Sequence, residues 1–259
     1  MLLALYQASS PAGDLSAGLA IIDAALGQAA EQDVDLLVFP ECYLPGYNAV
    51  TKTAPEGWGQ AIEQLPQLCK RHGVALAIGL PEYTDEAVYN SAYVYGQEGE
   101  ALAKHRKVQV WADESKIFEP GDQLTAFDYK GVRFGLMVCY DVEFAEHVRA
   151  LARNGVEAIL VPTANMMPYT NVNLLTVPGK AIENGLTIVY ANYCGQEGDL
   201  DYVGLSAIYG PDGFALAAKG TEPGMITADL PRNAEGEWRE HDIPLSTQLQ
   251  DFREAKPPS

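Results

Sequence analysis

Val132-Arg133-Phe134-Gly135-Leu136-Met137-Val138-Cys139-Tyr140-Asp141-Val142-Glu143 is the stretch from which the fold is read. Its first seven residues form a short apolar run, the pattern of a strand buried on both faces. Beyond Cys139 the period changes: Phe144, Val148 and Leu151 fall on one helical face. Glu143 and Glu146 lie near the start of that helix, Arg149 and Arg153 near its end, and Gly155 follows as the expected C-cap. A buried strand that runs into a helix is the repeating unit of an α/β protein. It also delivers a thiol to a strand–helix junction, where a helix N-terminus would favour the thiolate.

The same alternation extends in both directions. Residues 1–8 read as a strand, and Leu15, Leu19, Ile22 and Leu26 as a helix with Asp14 at its N-cap. Leu36-Leu37-Val38-Phe39 and Val74-Ala75-Leu76-Ala77-Ile78-Gly79 are further buried strands, with a helix before Gly73. Residues 90–95 and 100–106 pair as a hairpin across Gln97-Glu98-Gly99. Ala158-Ile159-Leu160-Val161, Leu186 to Ala191, and strands near 205–209, 213–218 and 225–229 complete the sheet. The reading is one α/β domain over residues 1–259, with 231–259, polar and Pro-containing, as a C-terminal arm.

Composition narrows the function. The chain has 259 residues, 47% of them hydrophobic, enough for one substantial core. Asp and Glu number 35 against 17 Lys and Arg, a net charge of −18. That field repels phosphate backbones and anionic bilayers, so neither a nucleic acid nor a membrane is expected as a partner. No run of 18 apolar residues is present, and the N-terminus lacks the layout of a signal peptide. Cys42, Cys69, Cys139 and Cys194 are far apart and form no CxxC pair, which argues against a metal ribbon or a disulfide framework. A reducing cytoplasm is the expected compartment.

Three further residues could carry chemistry with Cys139. Glu41 ends the second buried strand, in Phe39-Pro40-Glu41-Cys42-Tyr43. A carboxylate held and desolvated there gains the pKa of a general base, although a turn-capping carboxylate has the same look. Lys107 lies in a basic stretch, Lys104-His105-Arg106-Lys107, of an otherwise acidic chain; buried, it could stabilise an oxyanion. Glu114 follows, in a stretch where an acidic residue is equally well explained as an exposed one. Cys42 is the rival thiol, weakened because neighbours on an extended chain point to opposite faces. His147, eight residues after Cys139, sits about two turns down the helix, poorly placed to serve as its base; another base is needed, and a carboxylate would serve. No GxSxG, Walker A, GxGxxG or HExxH motif is present.

Read together, these segments resemble the carbon–nitrogen hydrolase (nitrilase) superfamily. Phe39-Pro40-Glu41 with Pro45-Gly46-Tyr47 is similar to its glutamate motif, and His105-Arg106-Lys107 to its lysine motif. Gly135 to Asp141, with Phe144, Glu146 and Arg149, is similar to its cysteine motif. Asn90-Ser91-Ala92, Phe118 with Pro120-Gly121-Asp122, and Ala181-Ile182-Glu183-Asn184-Gly185 extend the likeness over about residues 1–230. His105 stands where tyrosine is usual, Ala145 where proline is frequent and Lys180 where arginine is frequent.

The resemblance implies a four-layer αββα sandwich, a homodimer or higher homo-oligomer, and no metal or organic cofactor. It implies Cys139 as nucleophile, Glu41 as base, Lys107 with the Tyr140 N–H as oxyanion donors, and a second glutamate that holds Lys107, Glu114 by its spacing, with Glu119 as the rival. Members that cleave nitriles tend to carry Cys-Trp-Glu at the nucleophile. Cys139-Tyr140-Asp141 is closer to the amidase and carbamoylase branches. The expected substrate is therefore a small aliphatic primary amide. N-carbamoyl amides and nitriles are alternatives, and an inactive binding member of the fold is an alternative of another class. Tyr47, Tyr140, Asn165 and Met166 are the expected pocket walls, with Asn165 either a hydrogen-bond donor to substrate or a turn residue.

Overall fold

The computed structural model describes residues 1–231. The expected arm lies outside the described residues except for Pro231. The chain starts with β1 (Leu2–Gln7), α1 (Leu15–Glu31), β2 (Leu36–Val38), α2 (Trp58–His72) and β3 (Ala75–Tyr83). The strands β1, β2 and β3 are parallel neighbours, so both helices are crossovers on one face of the sheet. Asp14 caps α1 by accepting from the Ala17 N–H, and Gly73, at φ 68°, ends α2, both as the sequence indicates. β4 (Val88–Tyr95) and β5 (Ala101–Arg106) extend the sheet as antiparallel strands.

A second sheet follows. It comprises β6 (Thr125–Tyr129), β7 (Val132–Leu136), β8 (Ala158–Pro162) and β9 (Thr187–Ala191), with α3 (Ala145–Arg153) and α4 (Val177–Asn184) as crossovers. A separate two-stranded hairpin, β10 (Cys194–Glu197) with β11 (Leu200–Val203), precedes β12 (Ala207–Tyr209) and β13 (Ala215–Ala218). β14 (Gly224–Asp229) then returns to pair with β1. The two main sheets run β14-β1-β2-β3-β4-β5 and β13-β12-β9-β8-β7-β6.

Alternation along each strand sorts the side chains into layers. Leu36 and Val38 face the other sheet, and Leu37 faces the helices. Ala158 and Leu160 do the same inward, and Ile159 and Val161 outward. The inner layer joins Leu3, Leu5 and Val38 to Phe134, Leu136 and Leu160. One outer layer packs α1 and α2 on the first sheet, the other packs α3 and α4 on the second. The architecture is a single-domain α/β sandwich with helices outside two sheets, as expected.

Several details differ from the sequence reading. β6 is an additional strand, joined to β7 by the two-residue turn Lys130-Gly131, both at positive φ (47° and 76°). Such a turn matches the strands' twist, but Lys130 is not a typical residue for it. The β10–β11 hairpin and α4 are also additional. Helix α3 is capped by Asn154, and Gly155 follows in the left-handed region. Among the described residues no helix is long and apolar enough to cross a membrane.

Candidate active site

The site is assembled from chain that has just left a strand, at one edge of both sheets. Glu41 lies three residues beyond β2, Lys107 directly after β5, Cys139 three residues beyond β7, and Asn165 three residues beyond β8. Ends of parallel strands are where α/β sheets open a crevice.

Glu41 is fully buried, and its backbone is held from three sides. Gly79 N–H donates to Pro40 O at 3.0 Å, and Tyr43 N–H to Gly79 O at 2.8 Å. Tyr193 Oη donates to Glu41 O at 2.8 Å. A Cβ at Gly79 would stand 2.4 Å from the Glu41 Cα, so glycine is required by this close approach. Glu41 Oε1 accepts from Asn90 Nδ2 at 2.6 Å and Lys107 Nζ at 2.7 Å. Glu41 Oε2 is buried and has no partner among the described residues. Burial raises the Glu41 pKa; Lys107 pulls it back and the charge of Glu114 adds to the rise.

Lys107, 1% exposed, also donates to Glu114 Oε1 at 2.8 Å. Burial works against its ammonium, but the two carboxylates outweigh burial and hold its pKa well above the usual lysine value. Glu114 is itself fixed: Tyr47 Oη donates to Oε1 at 2.6 Å and Trp111 N–H to Oε2 at 2.8 Å. Glu119, the rival, is exposed, and its N–H is bound to Val88 O, so Glu114 is the glutamate that meets Lys107.

Cys139 opens a tight five-residue turn, Cys139–Glu143, and its φ is 46°. A non-glycine residue held there stores roughly 1–3 kcal/mol of strain, a feature that clusters at functional sites. The expected helix N-terminus is displaced, because this turn intervenes and α3 starts only at Ala145. The thiol pKa is accordingly raised: burial dominates, the Glu41 charge adds to it, and Lys107 and Thr163 act in the opposite sense. Cys139 therefore rests as a thiol that needs a base. Cys42 is remote from this role. It is fully buried in a small apolar cluster with Val50, Val88 and Phe118, and its thiol points to Asn90 Oδ1 at 3.5 Å.

Asp141 ties the cysteine turn to the lysine segment. Its Oδ1 accepts from the Val108 and Gln109 N–H groups at 3.0 and 2.8 Å. Its Oδ2 accepts from Val138 N–H at 3.1 Å and contacts His105 Nε2 at 3.0 Å. His105, the departure noted above, is thus a buried partner of Asp141.

Lys107, Glu114 and Cys139 line one cavity of about 240 Å³, walled by Tyr47, Tyr140, Asn165 and Met166. Trp111, Glu143 and Tyr169 line it as well and were not singled out from the sequence. Trp111 lies four residues beyond Lys107 and Glu143 four beyond Cys139, so proximity to the motifs was their only signal. Asn90, the clamp on Glu41, belongs to Asn90-Ser91-Ala92, a segment whose sequence carries no sign of that contact. The expectation for Asn165 needs correction. Both of its amide N–H groups are spent, on Tyr169 O and Asn173 Oδ1, so it shapes the wall and has no donor left for a substrate. Among the described residues no group of three or more His, Cys, Asp or Glu side chains is placed to hold a metal ion.

A family model described as carbon-nitrogen hydrolase matches residues 2–240. An (R)-stereoselective amidase of a Pseudomonas species is 35% identical, over 86% of this chain and 82% of its own. A cysteine-to-alanine mutant of the amidase from Nesterenkonia sp. AN1, solved in complex with butyramide, superposes with a TM-score of 0.84 at 37% identity, covering 89% and 91% of the two chains. A glutamate-to-glutamine mutant of that amidase, which shows Michael addition of acrylamide at its active-site cysteine, superposes with a TM-score of 0.86 at 36% identity, covering 98% and 96%.

Proposed function

The chain belongs to the carbon–nitrogen hydrolase family, and we propose that it is an amidase that hydrolyses small aliphatic primary amides to the carboxylic acid and ammonia through a thioester on Cys139. One observation carries this reading: a buried Glu41–Lys107–Glu114 network presents Lys107 and Glu114 to the same small cavity that the strained Cys139 lines. The cavity's size suits a substrate of few atoms, below the roughly 300 Å³ at which drug-sized sites begin. The butyramide bound by the Nesterenkonia amidase is of that kind.

In the proposed reaction Glu41, through its unpartnered Oε2, takes the Cys139 proton. The sulfur forms a bond to the amide carbon, and the carbonyl π pair moves to oxygen. Two of the three Lys107 N–H donors are committed to Glu41 and Glu114, so one remains for that oxyanion. The Tyr140 N–H, at the start of the tight turn and without an acceptor inside it, is the second donor. Glu41 protonates the nitrogen, the C–N bond breaks and ammonia leaves. Glu41 then takes a proton from water, the hydroxide displaces the thiolate, and the acid departs as Cys139 regains its proton.

The test is ammonia release over aliphatic amides, N-carbamoyl amino acids and nitriles, with intact-mass detection of an acyl adduct. Turnover confined to nitriles or carbamoyl compounds would replace the amide assignment. No turnover and no adduct across the panel would favour the inactive binding reading. We also propose self-association, supported by the exposed Leu174, Leu175 and Phe214 (56%, 71% and 60%). A monomer in equilibrium sedimentation at micromolar concentration contradicts it.

A further inference from the structure

One carboxylate in the cavity has no part in the chemistry above. Glu143 closes the turn that Cys139 opens, and it lines the same cavity as Cys139, Lys107 and Glu114. Its side chain is half-buried. Glu114 has both oxygens occupied, by Lys107, Tyr47 and the Trp111 N–H. Glu143, by contrast, accepts no hydrogen bond from any described residue. Burial raises its pKa against the pull of Lys107 and Lys180. Lys107 is already engaged by two other carboxylates. Lys180 is outside the cavity lining and lies 3.8 Å from Glu183.

A carboxylate partly removed from water and lacking a close donor is stabilised by any cation brought beside it. The neighbouring walls suit the same guest. Tyr140, Trp111 and Tyr169 line the cavity, the last two edge to face at 5.9 Å, and aromatic faces attract ammonium groups. A substrate carboxylate would meet the opposite situation. Lys107 is the cation of the lining; it is already paired with Glu41 and Glu114, and Glu143 shares the lining with it.

We propose that Glu143 is a specificity-determining residue that selects amides bearing a cationic group close to the scissile bond, as amino-acid amides do, over amides bearing a carboxylate. The inference rests on the amidase reading and deepens it. It also ranks the alternatives, because an N-carbamoyl amino acid brings a carboxylate to this wall.

The experiment uses a matched pair. Alaninamide and isobutyramide differ by an ammonium in place of a methyl group when the assay is run near pH 6.5, about one unit below an ordinary α-amino pKa. Both alaninamide enantiomers are assayed, so that chirality does not mask the charge. In the unaltered protein the better alaninamide enantiomer exceeds isobutyramide in kcat/KM, and succinamate falls below it. Glu143→Gln lowers the alaninamide-to-isobutyramide ratio about tenfold, the scale of one partly solvated charge pair. A second reading needs no variant: added salt lowers the same ratio in the unaltered protein. An isobutyramide preference in the unaltered protein overturns the proposal. So does a ratio that neither Glu143→Gln nor salt moves while both amides turn over. If no amide releases ammonia, the amidase reading itself has failed, a different and recognisable result that removes this inference with it.

Discussion

The Lys107 ammonium lies 2.7 Å from Glu41 Oε1, with both side chains sealed from water at 1% and 0% exposure. An ion pair at that depth is costly to leave half-made, since removing one partner typically costs about 3–5 kcal/mol. Lys107→Met is expected to do two things. It strips the oxyanion of a donor, lowering kcat roughly 100- to 1000-fold, and it leaves Glu41 and Glu114 facing each other. Ammonia release and urea denaturation measure the two effects separately; normal turnover in the variant refutes the role of Lys107.

The two thiols nearest the chemistry should behave differently. Cys139→Ala is expected to abolish both turnover and the acyl adduct in the mass spectrum. Cys42→Ala is expected to keep turnover within a few-fold and to lose about 1–2 kcal/mol of stability, because Cys42 fills an apolar cluster. An adduct that survives in Cys139→Ala would transfer the nucleophile to another residue.

The pH profile follows from two raised pKa values. Glu41 acts as a base only when ionised, so kcat/KM falls as pH drops through its pKa. Burial places that limb above the ordinary glutamate value of 4.5. Cys139 starts as a thiol whose pKa is raised above 9.0, so no decline from thiol ionisation is expected near neutrality. The two groups interact, and the limbs belong to the pair. An acid limb at or below 4.5 contradicts the burial argument.

Glu82 governs acid stability away from the reaction. Burial would raise its carboxyl, but hydrogen bonds from Arg106, Lys104 and Ser91 outweigh that and hold it at about 2. Its folded pKa is thus below its unfolded value near 4.5. The stabilisation is complete above about 4.5 and lost as pH falls toward 2. The difference in unfolding free energy between the unaltered protein and Glu82→Gln should therefore be greatest near neutrality and vanish over that window. A constant difference across it would show that Glu82 is not held by its cations.

Gly79→Ala tests how the base is held. The added methyl would collide with the Glu41 Cα, so the turn must shift. Overpacking of this kind typically costs about 1–3 kcal/mol. Turnover should fall by more than the loss of stability accounts for, as read from kcat at temperatures where the variant is fully folded. Unchanged kcat would mean that the Glu41 turn tolerates displacement.

The sequence made some of this legible and hid the rest for physical reasons. Buried strands ending at Glu41 and Cys139 could be read because hydrophobic runs and changes of period are local. Glu114 was separable from Glu119 only in three dimensions, where one meets Lys107 and the other faces solvent. Asn90 clamps Glu41 across 49 positions, and Asp141 reaches His105 across 36; such pairings leave no periodic trace. The helix-dipole expectation for Cys139 failed because a tight turn and a helix start both follow a strand with polar residues. Asn165 failed as a donor because its occupants, Tyr169 O and Asn173, are set by the turn and the π-helical stretch Val172–Thr176 that follow β8.

Glu41, Lys107 and Glu114 leave the first sheet, and Cys139 leaves the second. The inner apolar layer, from Leu3 and Val38 to Leu136 and Leu160, is therefore a spacer that sets how far base and sulfur stand apart. A misplacement of about 1 Å can cost roughly 100-fold in rate. Turnover then becomes a fine gauge of core volume: trimming Leu160, which is outside the cavity lining, should register in kcat at temperatures well below the onset of melting.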